Sequence, residues 1–295
     1  MTQMIELGVG HTVELERTFT LPDNRAMAAL CRDDNPIYEE TDRQAHGRFL
    51  SPVVHPLLLY GLICQGMNGE AFGQGSWPVE QSLMYPTGVN PGEKLRAHLQ
   101  ITQVEAQNFV HVLATVEQPD GDPGCVSHSV VSVNKSPGHK AYFSNPKEAL
   151  HWSRLPWTSP KEMGSLRLGQ MSAVKRIFTA VDVDRYRQLS GDENPFYHDY
   201  TAALEAGFED TPLPPPLLAA LFAHLLGSVC PGPGSSLLRQ RLLFARPGYP
   251  GEEFTASVEV IYLSPQRQTA QLRLVETSQS GETICEGEAL VFIPE

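Results

Sequence analysis

A short pattern whose residue types could do chemistry occurs twice in this sequence. Asp33 begins the stretch DDNPIY, which ends at Tyr38, and Asp192 begins the stretch DENPFY, which ends at Tyr197. An aspartate can serve as a general base. A phenol with a reference pKa of about 10 stays protonated near neutral pH, so it cannot readily replace an imidazole, whose pKa lies near 6.5. Each stretch therefore offers one candidate base and one hydrogen-bond donor.

The two stretches belong to an internal repeat that covers most of the chain. Residues 159 positions apart match without a gap over most of each half. Outside the two stretches, the matches are Arg17 with Arg176, Phe19 with Phe178, Thr20 with Thr179, Phe49 with Phe208, and Pro91-Gly92-Glu93 with Pro250-Gly251-Glu252. Chance does not keep one offset over such distances, so the sequence predicts two copies of one structural unit.

Each unit has the same predicted order of elements. An extended segment and a short helix, near residues 22–31 and 181–189, come before the Asn-Pro turn. A longer helix, near residues 53–72 and 217–229, is apolar on nearly all sides and is expected to be buried. Strands with approximate period-two alternation follow in both units. We expect an α+β fold in which each unit wraps an antiparallel sheet around one central helix.

The repeat also sets the expected domain boundaries. We expect a first domain over residues 1–134, a linker over residues 135–164 and a second domain over residues 165–295. Four prolines interrupt the linker, and proline prevents long helices and strands. Trp152 and Trp157 would expose much apolar area in a free tether, so the linker is expected to pack across the body of the protein.

Composition and charge exclude several classes of function. The chain of 295 residues has a net charge of -12 and no run of Lys and Arg, which argues against a nucleic-acid partner. Its five cysteines are scattered, and no metal-ligand spacing occurs, so neither a disulfide framework nor a metal site is predicted. No Gly-rich phosphate-binding loop is present, and no cofactor is expected. The N-terminal residues lack a signal-like pattern, and we expect a cytoplasmic protein without a membrane span.

The order of these features resembles the MaoC-like hydratases and dehydratases. The resemblance rests on the Asp-x-Asn-Pro-x-Tyr pattern after a short helix, on the pair Gly207-Phe208 near a second turn, and on the apolar helix that follows. Two fused copies look like the double-hotdog members of that family, with only the linker left out. The resemblance implies two tandem hotdog domains. It also implies reversible hydration of an enoyl chain carried as a thioester by coenzyme A or an acyl carrier protein.

Both copies depart from the family's catalytic motif at one position. In the family, an Asp and a His of the motif hold and activate water. Here Asp33 and Asp192 match the Asp, whereas Tyr38 and Tyr197 stand where the His is expected. The resemblance implies that the Tyr form belongs to a half that binds the acyl chain without doing the chemistry. Both halves therefore carry the form expected of a non-catalytic partner.

A second departure concerns the start of the long helix. The family typically reads His-Gly there, and a backbone N–H at that point helps to receive the enolate oxygen, because the first N–H groups of a helix lack partners within it. Here the first copy reads VVHP, ending at Pro56, and the second reads PLPPP, ending at Pro216. Proline has no N–H to give. His55 aligns with the family's helix-start histidine. Substrate-binding amides could still come one turn later, from Leu57, Leu58 and Leu217.

The other polar residues near the turns have two interpretations each. Asp33 and Asp192 either satisfy local backbone amides or act as the base. Asn35 and Asn194 are either turn residues or ligands of the substrate. His198 directly follows the second tyrosine, and neighbours in an extended segment point to opposite faces, so the two side chains are not expected to enter one pocket. His198 stays a candidate catalytic residue on the strength of its imidazole alone.

Three functional hypotheses follow. The first is a hydratase-like enzyme on an acyl thioester with a changed catalytic set. Its base would be Asp33 or Asp192. Its acid and oxyanion donor would be Tyr38, Tyr197 or His55. Such an enzyme could hydrate, dehydrate, isomerise or cyclise its substrate in fatty-acid or polyketide-type metabolism, because positioning supplies much of the rate of ring closure. The second hypothesis is an inactive acyl-binding subunit that pairs with an active hydratase. Either protein could form a homodimer or pair with a related hotdog subunit. The third is a hotdog thioesterase.

Overall fold

Two units with the same order of elements make up the fold. The structure is a computed structural model that describes residues 8–39, 47–69, 75–105, 109–133 and 159–294. The first unit consists of β1 (Thr12–Thr18), α1 (Leu21–Cys31), a 3-10 helix (Pro36–Tyr38), α2 (Pro56–Asn68), β2 (Ser76–Met84), β3 (Lys94–Val104), β4 (Phe109–Glu117) and β5 (Pro123–Val133). A short hairpin of β6 (Glu162–Met163) and β7 (Leu166–Arg167) precedes the second unit.

The second unit repeats this order with small differences. It consists of β8 (Met171–Ile177), α3 (Ala180–Ser190), a 3-10 helix (Pro195–Tyr197), α4 (Tyr200–Glu205), α5 (Pro215–His224), β9 (Ser236–Phe244), β10 (Glu253–Ser264), a 3-10 helix (Pro265–Arg267), β11 (Thr269–Ser278) and β12 (Thr283–Phe292). One π-helical segment, Leu225–Val229, continues α5 without a break. The predicted short helices are confirmed to within a residue. The first long helix begins three residues later than predicted and ends at Asn68, whereas the second, with its π-helical continuation, begins two residues earlier than predicted and ends at the predicted residue.

The start of each short helix explains part of the repeat. Thr20 caps α1 and Thr179 caps α3, and in both cases the hydroxyl accepts a hydrogen bond from the N–H of the Asp three residues on. The carboxylates of Asp23 and Asp182 accept a hydrogen bond from the cap N–H in return, at 2.7 and 2.8 Å. Such a capping box is worth about 1 kcal/mol per helix. The matching threonines are therefore structural residues.

All ten long strands form one antiparallel sheet. Their order is β1-β3-β4-β5-β2-β9-β12-β11-β10-β8, so β2 and β9 join the two units at its centre. The registers run from Glu80 opposite Leu243 to Met84 opposite Arg239. From either edge of the sheet, the equivalent strands of the two units follow in the same order. The two units are therefore related by a pseudo-two-fold axis. The sheet confirms the expected α+β fold.

The long helices lie inside the curve of the sheet. Leu58, Tyr60 and Leu62 of α2 are fully buried, as are Leu218 and Phe222 of α5. The expectation that both helices are buried is confirmed, and the two helices contact each other. Across the described residues, the helices are too short or too polar for any of them to cross a bilayer. Most of the expected linker, with Trp152 and Trp157, lies outside the described residues.

Candidate active site between the two units

The turn after α1 places Asp33 at the boundary between the units. Arg32 ends the helix in the left-handed conformation, with φ of 58°, and the Asp33 N–H then donates to the Ala28 carbonyl at 2.9 Å. One carboxylate oxygen, Oδ1, accepts from the Asn35 N–H at 3.1 Å and from the Ser228 hydroxyl at 3.3 Å. Oδ1 therefore acts as a turn former, while Oδ2 is left for another role.

His55 faces that second oxygen. Its Nε2 lies 3.4 Å from Oδ2 of Asp33, and both side chains are buried. Neither atom has a hydrogen-bond partner among the described residues, so the two groups approach each other without a hydrogen bond between them. The other ring nitrogen, Nδ1, accepts from the Leu57 N–H at 3.2 Å, which leaves the ring proton on Nε2. The imidazole therefore carries its proton on the nitrogen nearest the carboxylate.

Tyr38 completes the group. Its ring lies against the imidazole of His55, with 4.4 Å between the ring centroids. Burial, and then the negative charge of Asp33, raise the pKa of the Tyr38 hydroxyl well above its ordinary value. A phenol in this setting stays protonated at neutral pH and serves as a neutral hydrogen-bond donor. It is poorly suited to give up its proton.

A narrow cavity opens beside Asp33 and Tyr38. Its volume of ≈ 30 Å³ is enough for about two water molecules. Both units contribute its wall. The first unit provides Asp33, Asn35, Tyr38, Pro56, Leu57 and Tyr85, and the second provides Ala219, Ala223, Leu226, Gly227, Ser235, Leu237, Gln240 and Val291. His55 does not line the cavity and lies behind Asp33, so the expectation that it acts as acid or oxyanion donor has no support from this cavity.

A second cavity of similar size lies on the other side of the tyrosines. It shares Tyr38, Pro56, Tyr85 and Leu237 with the first. Its remaining wall is mostly apolar and consists of Ile37, Arg48, Phe49, Val53, Val54, Leu59, Thr87, Gly88, Val89 and Ser236. The two cavities together give a polar end at Asp33 and an apolar end beyond Tyr38.

Asp192, the equivalent of Asp33, has a different environment. Its Oδ1 accepts from the Asn68 amide at 2.8 Å and its Oδ2 from the Tyr186 hydroxyl at 3.1 Å. The side chain is fully buried, and this burial raises its pKa to about 6 although the hydrogen bonds act to lower it. Asp192 and Tyr197 line neither of the two cavities. The second carboxylate is thus saturated by protein partners.

Three pairs of equivalent residues account for this difference. At three positions the helix of the first unit carries larger side chains near Asp192 or Tyr197, whereas the helix of the second carries small ones in the wall of the cavity at Asp33. The pairs, each 159 positions apart, are Tyr60 and Ala219, Cys64 and Ala223, and Asn68 and Gly227. A Cβ at Gly227 would lie 2.3 Å from Oδ1 of Asp33. Small side chains on α5 and its π-helical continuation leave the cavity open.

The helix-start amides expected to bind substrate are already occupied. The Leu57 N–H donates to Nδ1 of His55, and the Leu58 N–H donates to the His55 carbonyl at 2.9 Å. In the second unit, the Leu217 N–H donates to the Pro214 carbonyl at 2.8 Å. This corrects the expectation for all three amides. Leu57 still contributes to the cavity wall, whereas Leu58 and Leu217 are core residues.

Asn35 and Asn194 each donate one hydrogen bond from their turn to the opposite unit. The Asn35 side-chain amide donates to the Ser235 carbonyl at 2.8 Å, and that of Asn194 donates to the Ser76 carbonyl at 2.9 Å, so each ties its turn to the opposite unit. His198 is exposed and lies outside the site, because it follows the buried Tyr197 with its side chain toward the surface. No group of His, Cys, Asp and Glu side chains in the described ranges could hold a metal ion.

Sequence reasoning missed the wall that the second unit supplies. Ala219, Ala223, Gly227 and Gln240 carry no motif of their own. A usable signal existed in the repeat, because reading across the 159-residue offset sets Gly227 against Asn68. Its meaning depends on knowing that α5 packs over the turn of the first unit.

Comparison with known proteins agrees with this fold. No family model matches the chain. An (R)-specific enoyl-CoA hydratase of Aeromonas caviae is 38% identical over 130 residues, which are 44% of this chain and 97% of that protein. A mitochondrial 3-hydroxyacyl-[acyl-carrier-protein] dehydratase of Solanum lycopersicum is 30% identical over 131 residues, which are 44% of this chain and 78% of that protein. The chain belongs to the MaoC-like hydratase and dehydratase family.

Solved structures confirm the fold over the whole chain. A MaoC-like dehydratase superposes with a TM-score of 0.74 at 17% identity, over 97% of this chain and 98% of that one. A Mycobacterium tuberculosis protein described as having a double hotdog fold superposes with a TM-score of 0.72 at 12% identity, over 97% of each chain. The protein has the double hotdog fold expected from its sequence.

Proposed function

We propose that this protein is a hydratase or dehydratase of acyl thioesters, carried by coenzyme A or an acyl carrier protein, with its active site at Asp33. The observation that carries the proposal is the contrast between the two aspartates. Asp33 lines a cavity and has one carboxylate oxygen without a hydrogen-bond partner among the described residues, whereas both oxygens of Asp192 accept hydrogen bonds from protein groups. The names of the relatives support the substrate class.

A single carboxylate can complete the reaction if both proton transfers occur on one face of the substrate. In the dehydration direction, Asp33 takes a proton from the α-carbon, and charge moves onto the thioester oxygen. The bond between the β-carbon and its hydroxyl then breaks, the leaving hydroxide receives the proton back from Asp33, and water and an enoyl thioester are released. Asp33 ends as a carboxylate, so protons and charges balance. Hydration is the same path in reverse.

Tyr38 and His55 support that carboxylate in different ways. Tyr38 faces the cavity as a protonated phenol and can hold the β-hydroxyl, or the water, by donating a hydrogen bond to it. His55 lies behind Asp33, with Nε2 3.4 Å from Oδ2, and helps to keep the carboxylate turned to the cavity. His55 thus partly takes over the orienting role of the imidazole that the motif lacks, without touching the substrate.

The apolar cavity beyond Tyr38 fits the tail of the acyl chain. Its wall contains Ile37, Val53, Leu59 and Val89, which would bury methylene groups at about 0.8 kcal/mol each. The reacting carbons would then lie between Asp33 and Tyr38. The thioester would then lie at the polar end of the two cavities, near Asp33.

A changed reaction is the second candidate. Among the described residues that line the cavity, the acid-base side chains are Asp33 and two tyrosines, since the imidazole of His55 stands behind the carboxylate. A carboxylate and a phenol around a polarised chain could also move a double bond or close a ring, where positioning contributes much of the rate. Such reactions incorporate no oxygen atom from solvent, whereas hydration does.

The test compares the two aspartates directly. Purified protein is offered crotonyl-CoA and longer enoyl thioesters in water enriched in heavy oxygen, and the products are weighed by mass spectrometry. Hydration adds one solvent oxygen, isomerisation or cyclisation adds none, and a thioesterase releases free coenzyme A. We expect Asp33→Asn to lose about 10²–10⁴-fold in rate, as for removal of a general base, and the matched control Asp192→Asn to keep it. Equal losses in both variants would contradict a single site at Asp33.

A further inference from the structure

Gln240 on β9 is a polar side chain of the cavity wall that the proposed reaction has not yet used. It is 4% exposed and lies in the wall with Asp33 and Tyr38. No described residue makes a hydrogen bond to its side-chain amide. Buried amides are normally paired, because leaving one unpaired costs about 1–3 kcal/mol. An unpaired amide at a cavity is therefore a candidate for binding a ligand.

The equivalent residue of the first unit is paired. Gln81 on β2 donates from Nε2 to the Ser127 hydroxyl at 2.6 Å, and its Oε1 accepts from the Ser129 hydroxyl at 2.8 Å. Both serines lie on the neighbouring strand, with Ser129 directly opposite Gln81. In the first unit, two serine hydroxyls therefore supply the hydrogen bonds that the glutamine side chain needs.

The second unit lacks both hydroxyls. Ala289 lies directly opposite Gln240, where Ser129 lies opposite Gln81. Gly287, two residues before, takes the place of Ser127, and a Cβ there would lie 1.9 Å from the Arg241 carbonyl oxygen. A serine cannot occupy that position without moving backbone. The free amide of Gln240 is therefore a consequence of two specific residues on β12.

The proposed reaction needs a donor that the helix start does not provide. Charge develops on the thioester oxygen during either proton transfer, and preorganised donors are the usual means of stabilising it. The amides of Leu57 and Leu58 are committed to His55. A side-chain amide carries two N–H donors, and the surrounding wall of Ala219, Leu226 and Val291 is apolar, which strengthens a hydrogen bond made there.

We infer that Gln240 receives the thioester carbonyl oxygen of the substrate and takes the place of the helix-start amides. The inference rests on the proposed function, because it names the oxyanion donor of the same site. Three polar side chains of the cavity then have separate roles. Asp33 moves the proton, Tyr38 holds the β-hydroxyl, and Gln240 holds the carbonyl.

Two variants of opposite design test this role. Gln240→Met removes the donor at similar volume, and we expect kcat to fall by about 10²-fold with a smaller change in KM, as for loss of one oxyanion donor. Ala289→Ser keeps Gln240 and offers its Oε1 the hydroxyl that Ser129 offers Oε1 of Gln81, which leaves the two N–H donors of Gln240 free, so kcat should stay close to that of the wild type. The matched control Ser129→Ala frees Gln81, which lines neither cavity, and should leave kcat unchanged.

A vibrational measurement separates this inference from the proposed function. Butyryl-CoA labelled with carbon-13 at the carbonyl is bound to each protein, and the carbonyl stretching band is recorded by difference infrared spectroscopy. Donation from Gln240 should lower the frequency in the wild type, and the shift should disappear in Gln240→Met. An unchanged band in Gln240→Met would overturn the inference even if the wild type turns over enoyl thioesters. A band shift that depends on Gln240 without any turnover would uphold the inference and overturn the proposed reaction. Failure of the wild type to bind the probe would overturn both.

Discussion

A methyl group at Gly227 should inactivate the protein with little loss of stability. Gly227 lies in the π-helical segment Leu225–Val229, directly over the Asp33 carboxylate. An added Cβ would stand 2.3 Å from Oδ1 of Asp33, whereas non-bonded carbon and oxygen atoms settle at about 3.5 Å. The Asp33 carboxylate would have to move by about 1 Å. Its position relative to the His55 imidazole and the cavity would then change.

The size of each effect can be worked out from this clash. A misplacement of about 1 Å in a reacting group can cost about 10²-fold in rate, so Gly227→Ala should lower kcat by at least that factor. Overpacking costs about 1–3 kcal/mol, but replacing glycine by alanine within a helix recovers about 1 kcal/mol. The free energy of unfolding should therefore fall by no more than roughly 2 kcal/mol.

The assay pairs enoyl-thioester hydration with urea unfolding. The matched control is Asn68→Ala at the equivalent position of the first unit. It removes the amide that donates to Asp192 at 2.8 Å and accepts from the Ser76 N–H at 2.9 Å, so it should destabilise the fold by about 1–3 kcal/mol while the rate stays intact. A Gly227→Ala protein with the wild-type rate would refute the assignment of the active site to this cavity. A loss of rate in Asn68→Ala alone would move the site to Asp192.

Three more predictions concern the pH dependence, the core and the substrate. Burial raises the pKa of Asp192 from 3.8 to about 6, so its contribution to the free energy of unfolding is complete below pH 3.8 and is lost as the pH rises through about 6. The loss is roughly 3 kcal/mol at most. Asp192→Asn should remove this pH-dependent loss, which urea unfolding at several pH values across that window measures. Burial raises the pKa of Glu276 well above its ordinary range, and among the described residues its carboxyl group has no hydrogen-bond partner. Glu276→Leu should therefore raise the free energy of unfolding at neutral pH by about 1–3 kcal/mol, with a smaller gain in acid, and an unchanged urea midpoint would contradict this. Val53→Phe should narrow the apolar cavity and lower kcat/KM for long enoyl-CoA relative to crotonyl-CoA by about 10-fold or more, whereas an equal effect on both chain lengths would place the acyl tail elsewhere.

The duplicated fold was predictable because its signals are local. The capping threonines, the Asn-Pro turns and the apolar helices each repeat at one offset, and each fixes structure within a few residues of itself. Thr20 and Thr179 cap helices whatever lies beyond them. The burial of α2 and α5 also follows from their own composition, since neither helix has a polar face to turn toward water.

The choice of Asp33 over Asp192 for the proposed active site was not predictable, because the two motifs are the same. Asp33 and Asp192 occur in nearly identical stretches, and what separates them is the helix of the opposite unit. Only the packing of α5 over the first turn shows that Gly227, and not Asn68, meets the cavity aspartate. His55 posed a similar problem, since the sequence aligned it with a motif position but could not show that Nδ1 accepts from the Leu57 N–H.

The duplicated aspartate does not require duplicated chemistry. Asp192 joins α2, through Asn68, to α3, through Tyr186, and these contacts account for its place in the second unit without any substrate. The cavity at Asp33 depends on the opposite unit in turn, because Ala219, Ala223 and Gly227 form its wall. Asn35 and Asn194 tie each turn to the other unit by one hydrogen bond each, to Ser235 and to Ser76. The symmetric contacts hold the two units together, and the few asymmetric side chains decide which of the two turns can reach a ligand. A first unit separated from the second would keep Asp33, His55 and Tyr38 and still have no cavity in which to use them.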